Sequence, residues 1–393
     1  DTLWREIRHS LRRLARSTTT SLAAVVTMAL GIGVATGAYS IMDGLMLGGV
    51  PFEDAERLVA LRQVDLRTAL WSSNVPESDF ADWHEQQHSF EALIAFRTGG
   101  VNLRDTLPHD SALPQRYRGA SVSPGFLDLL RVDPLLGRGF EPADSAPGAT
   151  PVVLVGYDVW QHEYGGAAGV VGRAIHVNGQ PTTVIGVLPR GFRFPVSQDV
   201  WLPLPPPARA VPRGDGPHVQ VVGRLKDGVT LARAAQEMSS IARRLGEAYP
   251  ETDETTSVAT LSYPDHVVDS YLGDDGLLIL TSLFAVPALF VLLIACVNVT
   301  NLLLARTAAR AEELAIRAAL GASRLRTVSQ VLMEAGVLAL GGAGLGVVLA
   351  YWSVRAFAVA MSAVEELPYW VRFEINGRVL LFAVAISVFS AFI

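Results

Sequence analysis

The chain has 393 residues, half of them apolar, with a formal net charge of −6 and a single cysteine. The acidic total argues against a nucleic-acid-binding protein, which would carry a basic surface, and one cysteine cannot form an intrachain disulfide. The charge is unevenly distributed, because residues 43–275 hold thirty acidic and nineteen basic side chains, whereas 1–16 and 306–334 together hold ten Arg and five acidic side chains.

Four stretches carry no charged residue, at 17–42, 276–305, 335–354 and 379–393. The first three are 26, 30 and 20 residues long, and a helix needs about 20 apolar residues to cross a bilayer core. The Arg-rich segments fall on one side of these stretches and the acidic segment on the other, which is the positive-inside pattern. The sequence predicts a polytopic α-helical membrane protein with four transmembrane helices, the last one truncated, and a cytoplasmic N-terminus.

A large mixed α/β extracytoplasmic domain is predicted between the first two membrane helices. The predicted organisation is a cytoplasmic interfacial amphipathic helix at 1–16, transmembrane helix 1 at 17–42, the extracytoplasmic domain at 43–275, transmembrane helix 2 at 276–305, a cytoplasmic loop at 306–334, transmembrane helix 3 at 335–354, a short extracytoplasmic loop at 355–378, and the truncated transmembrane helix 4 at 379–393. In 1–16, Trp4 and other apolar residues recur at helical spacing among five Arg. This pattern predicts a helix that lies on anionic membrane lipid.

The first predicted span contains Gly31, Gly33 and Gly37. Small residues four positions apart allow a second helix to approach closely, so these three glycines are candidate helix-packing positions. The alternative is that glycine is simply common in membrane helices, and the sequence leaves both interpretations open.

The segment 43–275 contains runs typical of both strands and helices. Residues 230–249 have an amphipathic helical pattern with Thr230 as the N-cap, and 201–217 is proline-rich, which favours an extended linker. Strands are predicted at 152–155, 174–177, 182–187 and 219–225, and Asn178-Gly179 predicts a tight hairpin turn.

A helix is predicted at 76–95 from the spacing of Phe80, Trp83, Phe90 and other apolar residues. The string HEQQH at 84–88 matches the zinc-binding pattern H-E-x-x-H. However, no third ligand follows at the expected spacing, and both histidines flank the apolar stripe. Two surface histidines on an amphipathic helix are therefore favoured, and a zinc peptidase using His84 and His88 is kept only as an alternative.

The loop 306–334 has the pattern of two short helices separated by Gly321. An apolar ridge of Leu314, Ile316 and Leu320 lies among charged side chains, as expected of a surface that docks into a groove on a cytoplasmic partner. The alternative is an ordinary positive-inside loop. The only lysine, Lys226, is followed by Asp227, so this chain has no Walker A phosphate-binding loop. No catalytic residue, metal ligand or cofactor site is assigned in this chain.

Motifs along almost the whole chain resemble those of the MacB-type, FtsX-like permeases of ABC transporters. They are LRRL at 11–14, TMALGIG at 27–33, SDFADW at 78–83, VSPGF at 122–126, LGRGF at 136–140, VGR at 171–173, VNG at 177–179, VIGV at 184–187 and the loop at 311–323. These motifs are especially similar to those of the duplicated orphan permeases described from acidobacteria, in which two such units follow one another.

This resemblance implies a non-enzymatic permease subunit in a bacterial inner membrane. A cytoplasmic ABC ATPase would bind ATP and Mg²⁺, and the permease would transmit its motion to the extracytoplasmic domain, in partnership with a second permease unit (a downstream repeat or a second copy). A membrane-anchored scaffold that acts without transport is the alternative. Ala311 and Glu312 stand where the family usually has basic residues. The residues implied to couple to the ATPase are Arg310, Glu313, Ile316, Arg317, Leu320, Gly321, Ala322 and Ser323.

Overall fold

The computed structural model describes residues 18–47, 50–104, 114–206, 211–273, 276–309, 324–364 and 368–392. They divide into two compact units. We call the described residues of Asp1–Gly48, Val268–Glu365 and Val371–Ile393 the membrane unit, and those of Gly49–Val267 and Glu366–Trp370 the α/β domain. The chain therefore passes between the two units four times.

The described helices and strands are numbered here in chain order. The helices are α1 (Thr18–Met42), α2 (Glu77–Gln86), α3 (Phe126–Leu130), α4 (Tyr157–Tyr164), α5 (Leu231–Ala248), α6 (Pro250–Asp253), α7 (Tyr263–Leu272), α8 (Gly276–Ala309), α9 (Arg324–Val364) and α10 (Gly377–Phe392). The strands are β1 (Leu58–Asp65), β2 (Trp71–Ser72), β3 (Val75–Pro76), β4 (Phe90–Arg104), β5 (Gln115–Val122), β6 (Leu136–Gly137), β7 (Val152–Val155), β8 (Ala174–Val177), β9 (Gln180–Val187), β10 (Val200–Pro203), β11 (His218–Leu225) and β12 (Thr256–Ser262).

In the membrane unit, α1 packs against α8, α9 and α10. Three segments in this unit are long and apolar enough to cross a membrane: Ser21–Leu45, Thr281–Asn301 and Ala335–Met361. The fourth apolar segment, Gly377–Ser390, is shorter. Three of the predicted spans therefore have candidate helices of sufficient length, and the count of four transmembrane helices stays a prediction.

Helix α9 is longer than the sequence pattern indicated. The third span was expected to end at 354, before the charged Arg355, but the helix continues to Val364. A charged side chain such as that of Arg355 interrupts an uncharged sequence, but it does not interrupt a helix, because the hydrogen bonds of the helix are made by the backbone. Here the Arg355 guanidinium lies 3.3 Å from the hydroxyl of Tyr351, one turn earlier on the same helix.

The strands of the α/β domain form one twelve-stranded sheet with the main order β12-β1-β11-β4-β5-β10-β7-β9-β6. Most neighbours are antiparallel, but β7 pairs parallel with β9 and β10 pairs parallel with β5. The hairpin predicted from Asn178-Gly179 is confirmed, since β8 and β9 pair across it and both turn residues have positive φ, 50° and 84°. The helix predicted at 230–249 is also confirmed: α5 begins after Thr230, whose side chain accepts a hydrogen bond from the Arg233 N–H.

The helix predicted over 76–95 is wrong in its second half. Helix α2 ends at Gln86 and β4 begins at Phe90. The break is stabilised by a distant residue, since the N–H groups of His88 and Ser89 donate to the carboxylate of Glu237 at 2.7 and 2.9 Å. Local spacing contains no information about this contact with α5.

The extended linker predicted at 201–217 is wrong at its start. Residues Val200–Pro203 form β10 inside the sheet, between β5 and β7. Trp201 is fully buried, and its indole N–H donates to the carbonyl of Phe194 at 2.8 Å. Burial of one large aromatic side chain thus outweighs the proline-rich composition that follows it.

Candidate functional site

The residues predicted to couple to an ATPase lie outside the described part of the chain. Arg310, Glu313, Ile316, Arg317, Leu320, Gly321, Ala322 and Ser323 all fall between α8, which ends at Ala309, and α9, which begins at Arg324. Their roles therefore stay predictions. The described residues instead reveal how the two flanking helices contact the rest of the membrane unit.

The three candidate packing glycines all lie on α1 where other helices approach it. A Cβ atom added at Gly31 would lie 2.7 Å from the Cβ of Ala295 on α8. One added at Gly33 would lie 3.0 Å from the Gly346 carbonyl oxygen on α9, and one at Gly37 would lie 3.0 Å from the Ser353 Oγ. Helix α1 thus approaches the backbone of α9 and the side chains of both neighbours at these positions.

Two further glycines on α9 complete this contact. A Cβ at Gly342 would lie 2.5 Å from the Met28 Cβ, and one at Gly346 would lie 3.1 Å from the Ala29 carbonyl oxygen. We call Gly33, Gly342 and Gly346 the glycine seam. Sequence reasoning missed the α9 members, although their four-residue spacing is the same signal that picked out Gly33 and Gly37.

An aromatic cluster of the α/β domain contains residues from the segments where the chain enters and leaves this domain. Ring centroids of Phe52 and Phe194 lie 5.9 Å apart, those of Phe194 and Tyr263 lie 6.2 Å apart, and those of Tyr263 and Trp370 lie 6.2 Å apart. Phe52, Tyr263 and Trp370 are each within four residues of a boundary between the units. We call these four residues the junction cluster.

Residues 368–376, between α9 and α10, are called the connector. Its first residues belong to the α/β domain: the Tyr369 N–H donates to the Val196 carbonyl at 2.8 Å, and burial raises the pKa of Tyr369 above its ordinary value. Trp370 completes the junction cluster. The sequence predicted only a short extracytoplasmic loop here, because the partners of Tyr369 and Trp370 are distant in the chain.

The remaining connector residues belong to the membrane unit and lie beside the C-terminal end of α1. Asp43 is 2% exposed there, and its Oδ2 accepts a hydrogen bond from the Asn376 side-chain amide at 2.5 Å. The Ser40 hydroxyl donates to the Glu374 carbonyl at 3.2 Å. A Cβ atom at Gly44 would lie 2.7 Å from the Arg372 carbonyl oxygen, which shows how closely the two backbones approach.

The HEQQH string does not form a metal centre in the described structure. His84 lies on α2 and His88 lies beyond its end, so the two imidazoles are not one turn apart on a helix. The His88 Nδ1 lies 3.3 Å from a Glu237 carboxylate oxygen, and the His84 ring packs on Phe80. Among the described residues, no group of three or more His, Cys, Asp or Glu could hold a metal ion.

A cluster of ionisable groups in the α/β domain is centred on Arg213. Its guanidinium nitrogens lie 2.9 Å from Asp79, 2.6 Å from Asp82 and 2.7 Å from Asp253. Burial, together with the charge of Asp253, raises the pKa of Asp79 to about 6. Three carboxylates share one cation, and the protonation of Asp79 relieves this excess of negative charge.

A second buried group titrates in the same pH range. The Nε of Arg62 donates to the Nδ1 of His266 at 2.8 Å, and both side chains are buried. Burial and the positive charge of Arg62 lower the pKa of His266 to about 4. His266 is therefore neutral at neutral pH, as a hydrogen-bond acceptor for Arg62 must be.

These features define a membrane protein with a bundle of apolar helices and a large α/β domain inserted after the first helix. Residues 21–241 match the family model of the MacB-like periplasmic core domain, and residues 285–393 match that of the FtsX-like permease C-terminal. The chain belongs to the MacB/FtsX-type permease family. Its apolar helices and its periplasmic core domain indicate an inner-membrane protein with an extracytoplasmic domain.

Similar proteins include macrolide export ATP-binding/permease proteins MacB. The Campylobacter jejuni protein is 26% identical over 253 residues, covering 63% of this chain and 37% of that protein. The Burkholderia orbicola protein is 24% identical over 375 residues, covering 90% of this chain and 51% of that protein. The chain thus spans about half or less of the length of these relatives. The periplasmic region of MacB from Actinobacillus actinomycetemcomitans aligns with a TM-score of 0.39 at 14% identity, covering 55% of this chain and 93% of that structure.

Proposed function

We propose that this chain is the permease subunit of an ABC transporter of MacB/FtsX type. It would transmit the ATP-driven motion of a cytoplasmic ATPase to its extracytoplasmic domain, for efflux or extraction of a substrate. The ATPase, on a separate chain or domain, binds ATP and Mg²⁺, and this chain contributes no catalytic residue. The family membership supports a permease, and the relatives that are named as ATP-binding/permease proteins support an ATPase partner.

The observation that carries the proposal is the unbroken helix α9. Its 41 residues run from Arg324, directly after the predicted coupling residues, to Val364, four residues before the connector begins. At 1.5 Å per residue the helix is about 60 Å long, about twice the thickness of a hydrocarbon core. A single rigid element can therefore carry a displacement of the coupling loop along the whole membrane unit.

Two connections can pass a displacement of α9 to other elements: its packing against α1 and its chain connection to the connector. The glycine seam places α1 directly against α9, so a shift of α9 displaces α1 as well. The connector follows α9 in the chain, and its half-buried Tyr369 and Trp370 pack against the core of the α/β domain. Motion of α9 thus reaches the α/β domain through the chain itself, which supports mechanical transmission between two states.

The proposal is tested with the full chain in its native membrane. We expect affinity purification to recover a nucleotide-binding subunit. Arg317→Glu or Leu320→Asp should abolish ATP-dependent function, because Leu320→Asp places a carboxylate on the predicted docking ridge and Arg317→Glu reverses a charge beside it. Arg243→Glu is the matched control, since it makes the same charge change on an exposed position of α5. Normal ATP-dependent function in Arg317→Glu would contradict the coupling role.

Orientation is tested separately with Ser323→Cys in a variant whose buried Cys296 is replaced by Ala. We expect a membrane-impermeant thiol reagent to label this position only after the cells are opened, because the loop is proposed to face the cytoplasm together with the N-terminus. Labelling in intact cells would place the loop on the opposite side and remove the basis for an ATPase partner.

A membrane-anchored scaffold without transport is the second candidate. The same purification separates the two, since a scaffold would be recovered with extracytoplasmic partners and without a nucleotide-binding subunit. We also propose that a second permease unit, either a downstream repeat or a second copy of this chain, completes the transporter.

A further inference from the structure

A buried carboxylate stands at the C-terminal end of the uncharged helix α1. Asp43 is 2% exposed and begins a short π-helical turn, Asp43–Leu47, where the regular pattern of helical hydrogen bonds changes. Burying a carboxylate is costly unless its oxygens accept several hydrogen bonds. An aliphatic residue would fill this position without that cost, so the carboxylate calls for a role other than packing.

The carboxylate is only half satisfied in the described structure. Its Oδ2 accepts the Asn376 amide at 2.5 Å, whereas no hydrogen-bond partner for its Oδ1 is found among the described residues. The Arg378 guanidinium lies 3.8 Å from Oδ1, near enough to attract the charge but beyond hydrogen-bond distance. A carboxylate in this state gains hydrogen bonds when water reaches it, which offsets part of the cost of breaking the observed pairing.

Asn376 has a second, independent role. Its side-chain oxygen accepts hydrogen bonds from the N–H groups of Arg378 and Val379, both at 3.0 Å, and so caps the N-terminus of α10. One amide therefore links the end of α1 to the start of α10. Release of Asp43 would leave the cap of α10 intact, which allows the two helices to separate without local unfolding.

We propose that the Asp43–Asn376 hydrogen bond is a releasable latch, a positioning contact that makes the end of α1 follow the connector while it is closed. The connector is held at its other end by Tyr369 and Trp370 in the α/β domain. The latch therefore determines whether a displacement of the connector reaches α1 directly. This inference rests on the proposed transmission of motion, and it names the contact through which α1 takes part.

The test measures amide hydrogen exchange of the full chain in lipid nanodiscs, without ATP or a partner. Asn376→Asp keeps an oxygen that caps α10 but sets a second carboxylate against Asp43. We expect exchange at residues 40–46 to become about tenfold faster, because a charge-assisted hydrogen bond is lost. The double variant Asp43→Asn/Asn376→Asp restores a carboxylate–amide pair in the reverse direction, and its exchange should return to within about twofold of the wild type.

The coupling itself is read out by adding Trp370→Ala, which loosens the connector at its far end. With the latch intact, we expect exchange at 40–46 to rise about threefold; in the Asn376→Asp background the same change should add nothing. A merely structural role for Asp43 would give equal effects of Trp370→Ala in both backgrounds, and that result, or no effect in either, would overturn the proposal.

Residues 231–248 of α5 serve as the internal control for folding. If Asn376→Asp exposes these amides as well, Asp43→Asn replaces it, because the amide oxygen still accepts the Asn376 N–H and only the charge is lost. We then expect an increase of about threefold at 40–46, and no increase would overturn the latch. The two proposals can fail separately. Exchange results that contradict the latch would not change whether an ATPase is recovered by purification, and a purification without an ATPase would not change the exchange results.

Discussion

The membrane unit and the α/β domain are stabilised by different contacts. In the membrane unit, α1 approaches α8 and α9 through Gly31, Gly33 and Gly346, where backbones nearly touch. In the α/β domain, large aromatic side chains such as Trp201 and Phe194 are fully buried. Lipid removes the hydrophobic drive for association of helices, so shape complementarity dominates there, whereas burial of apolar area dominates in water.

The largest effect is expected from Gly346→Leu in the membrane unit. A side chain at this position meets the backbone of α1, since a Cβ atom would lie 3.1 Å from the Ala29 oxygen and 3.2 Å from the Gly33 nitrogen. We expect the free energy of unfolding to fall by more than about 3 kcal/mol. The reactivity of buried Cys296 with a thiol-reactive dye during heating reports the transition.

Gly344→Leu provides the matched control on the same helix. Gly344 is exposed, and a Cβ atom added there meets nothing within 4 Å. The unfolding temperature of the Gly344→Leu variant should be unchanged or higher than that of the wild type, because leucine is a better helix former than glycine by roughly 0.8 kcal/mol. Equal destabilisation by both variants would show that shape at the seam does not govern the packing of this unit.

An effect of similar size is expected from Phe126→Ala in the α/β domain. Phe126 is fully buried and packs on Phe140 and Phe192. Truncation should cost about 3–5 kcal/mol, from lost burial and the cavity left behind. Tryptophan fluorescence during denaturation measures this loss of unfolding free energy. As the control, Leu135→Ala at a 48% exposed position should cost less than about 0.5 kcal/mol. A similar cost at both positions would contradict a burial-dominated domain.

A third prediction concerns pH, because two buried groups of the α/β domain affect its stability in opposite directions. Burial raises the pKa of Asp79 to about 6, so its contribution to stability is greatest below pH 4 and is lost as the pH rises to 6. Burial lowers the pKa of His266 to about 4, so its contribution is present above pH 6.5 and is lost as the pH falls to 4. Between pH 4 and 6 the two effects partly cancel.

Single variants separate these effects. Asp79→Asn should give a domain whose unfolding free energy rises by about 1–2 kcal/mol from pH 4 to 6.5, and His266→Asn should give one whose free energy falls by a similar amount from pH 4 to 6. Chemical denaturation at a series of pH values measures both slopes. Slopes of the same sign in the two variants would be inconsistent with the burial of these groups.

The smallest effect is expected from the double variant His84→Ala/His88→Ala. The His88 side chain is exposed and has one weak contact with Glu237, so the unfolding free energy should change by less than about 0.5 kcal/mol. Elemental analysis of the purified full chain should show no zinc bound in stoichiometric amount. Stoichiometric zinc that disappears in the double variant would revive the peptidase alternative.

The sequence predicted those elements whose signals are local. Thr230 marked the start of α5 and Asn178-Gly179 marked the hairpin, because caps and tight turns depend on neighbouring residues. The start of β4 at Phe90 was missed because the break before it is stabilised by Glu237, which accepts a hydrogen bond from the Ser89 N–H, 148 positions earlier in the chain. The roles of Tyr369 and Asn376 were missed for the same reason, since each depends on partners that the fold brings together.

Strand β4 affects how the α/β domain opens. Its first half, up to Phe96, is hydrogen-bonded to β11, and its second half, from Phe96 to Leu103, is bonded to β5. Because one fifteen-residue strand supplies backbone partners to both halves of the sheet, neither half can detach without exposing the other. The α/β domain should therefore unfold as a single cooperative unit and not one half at a time.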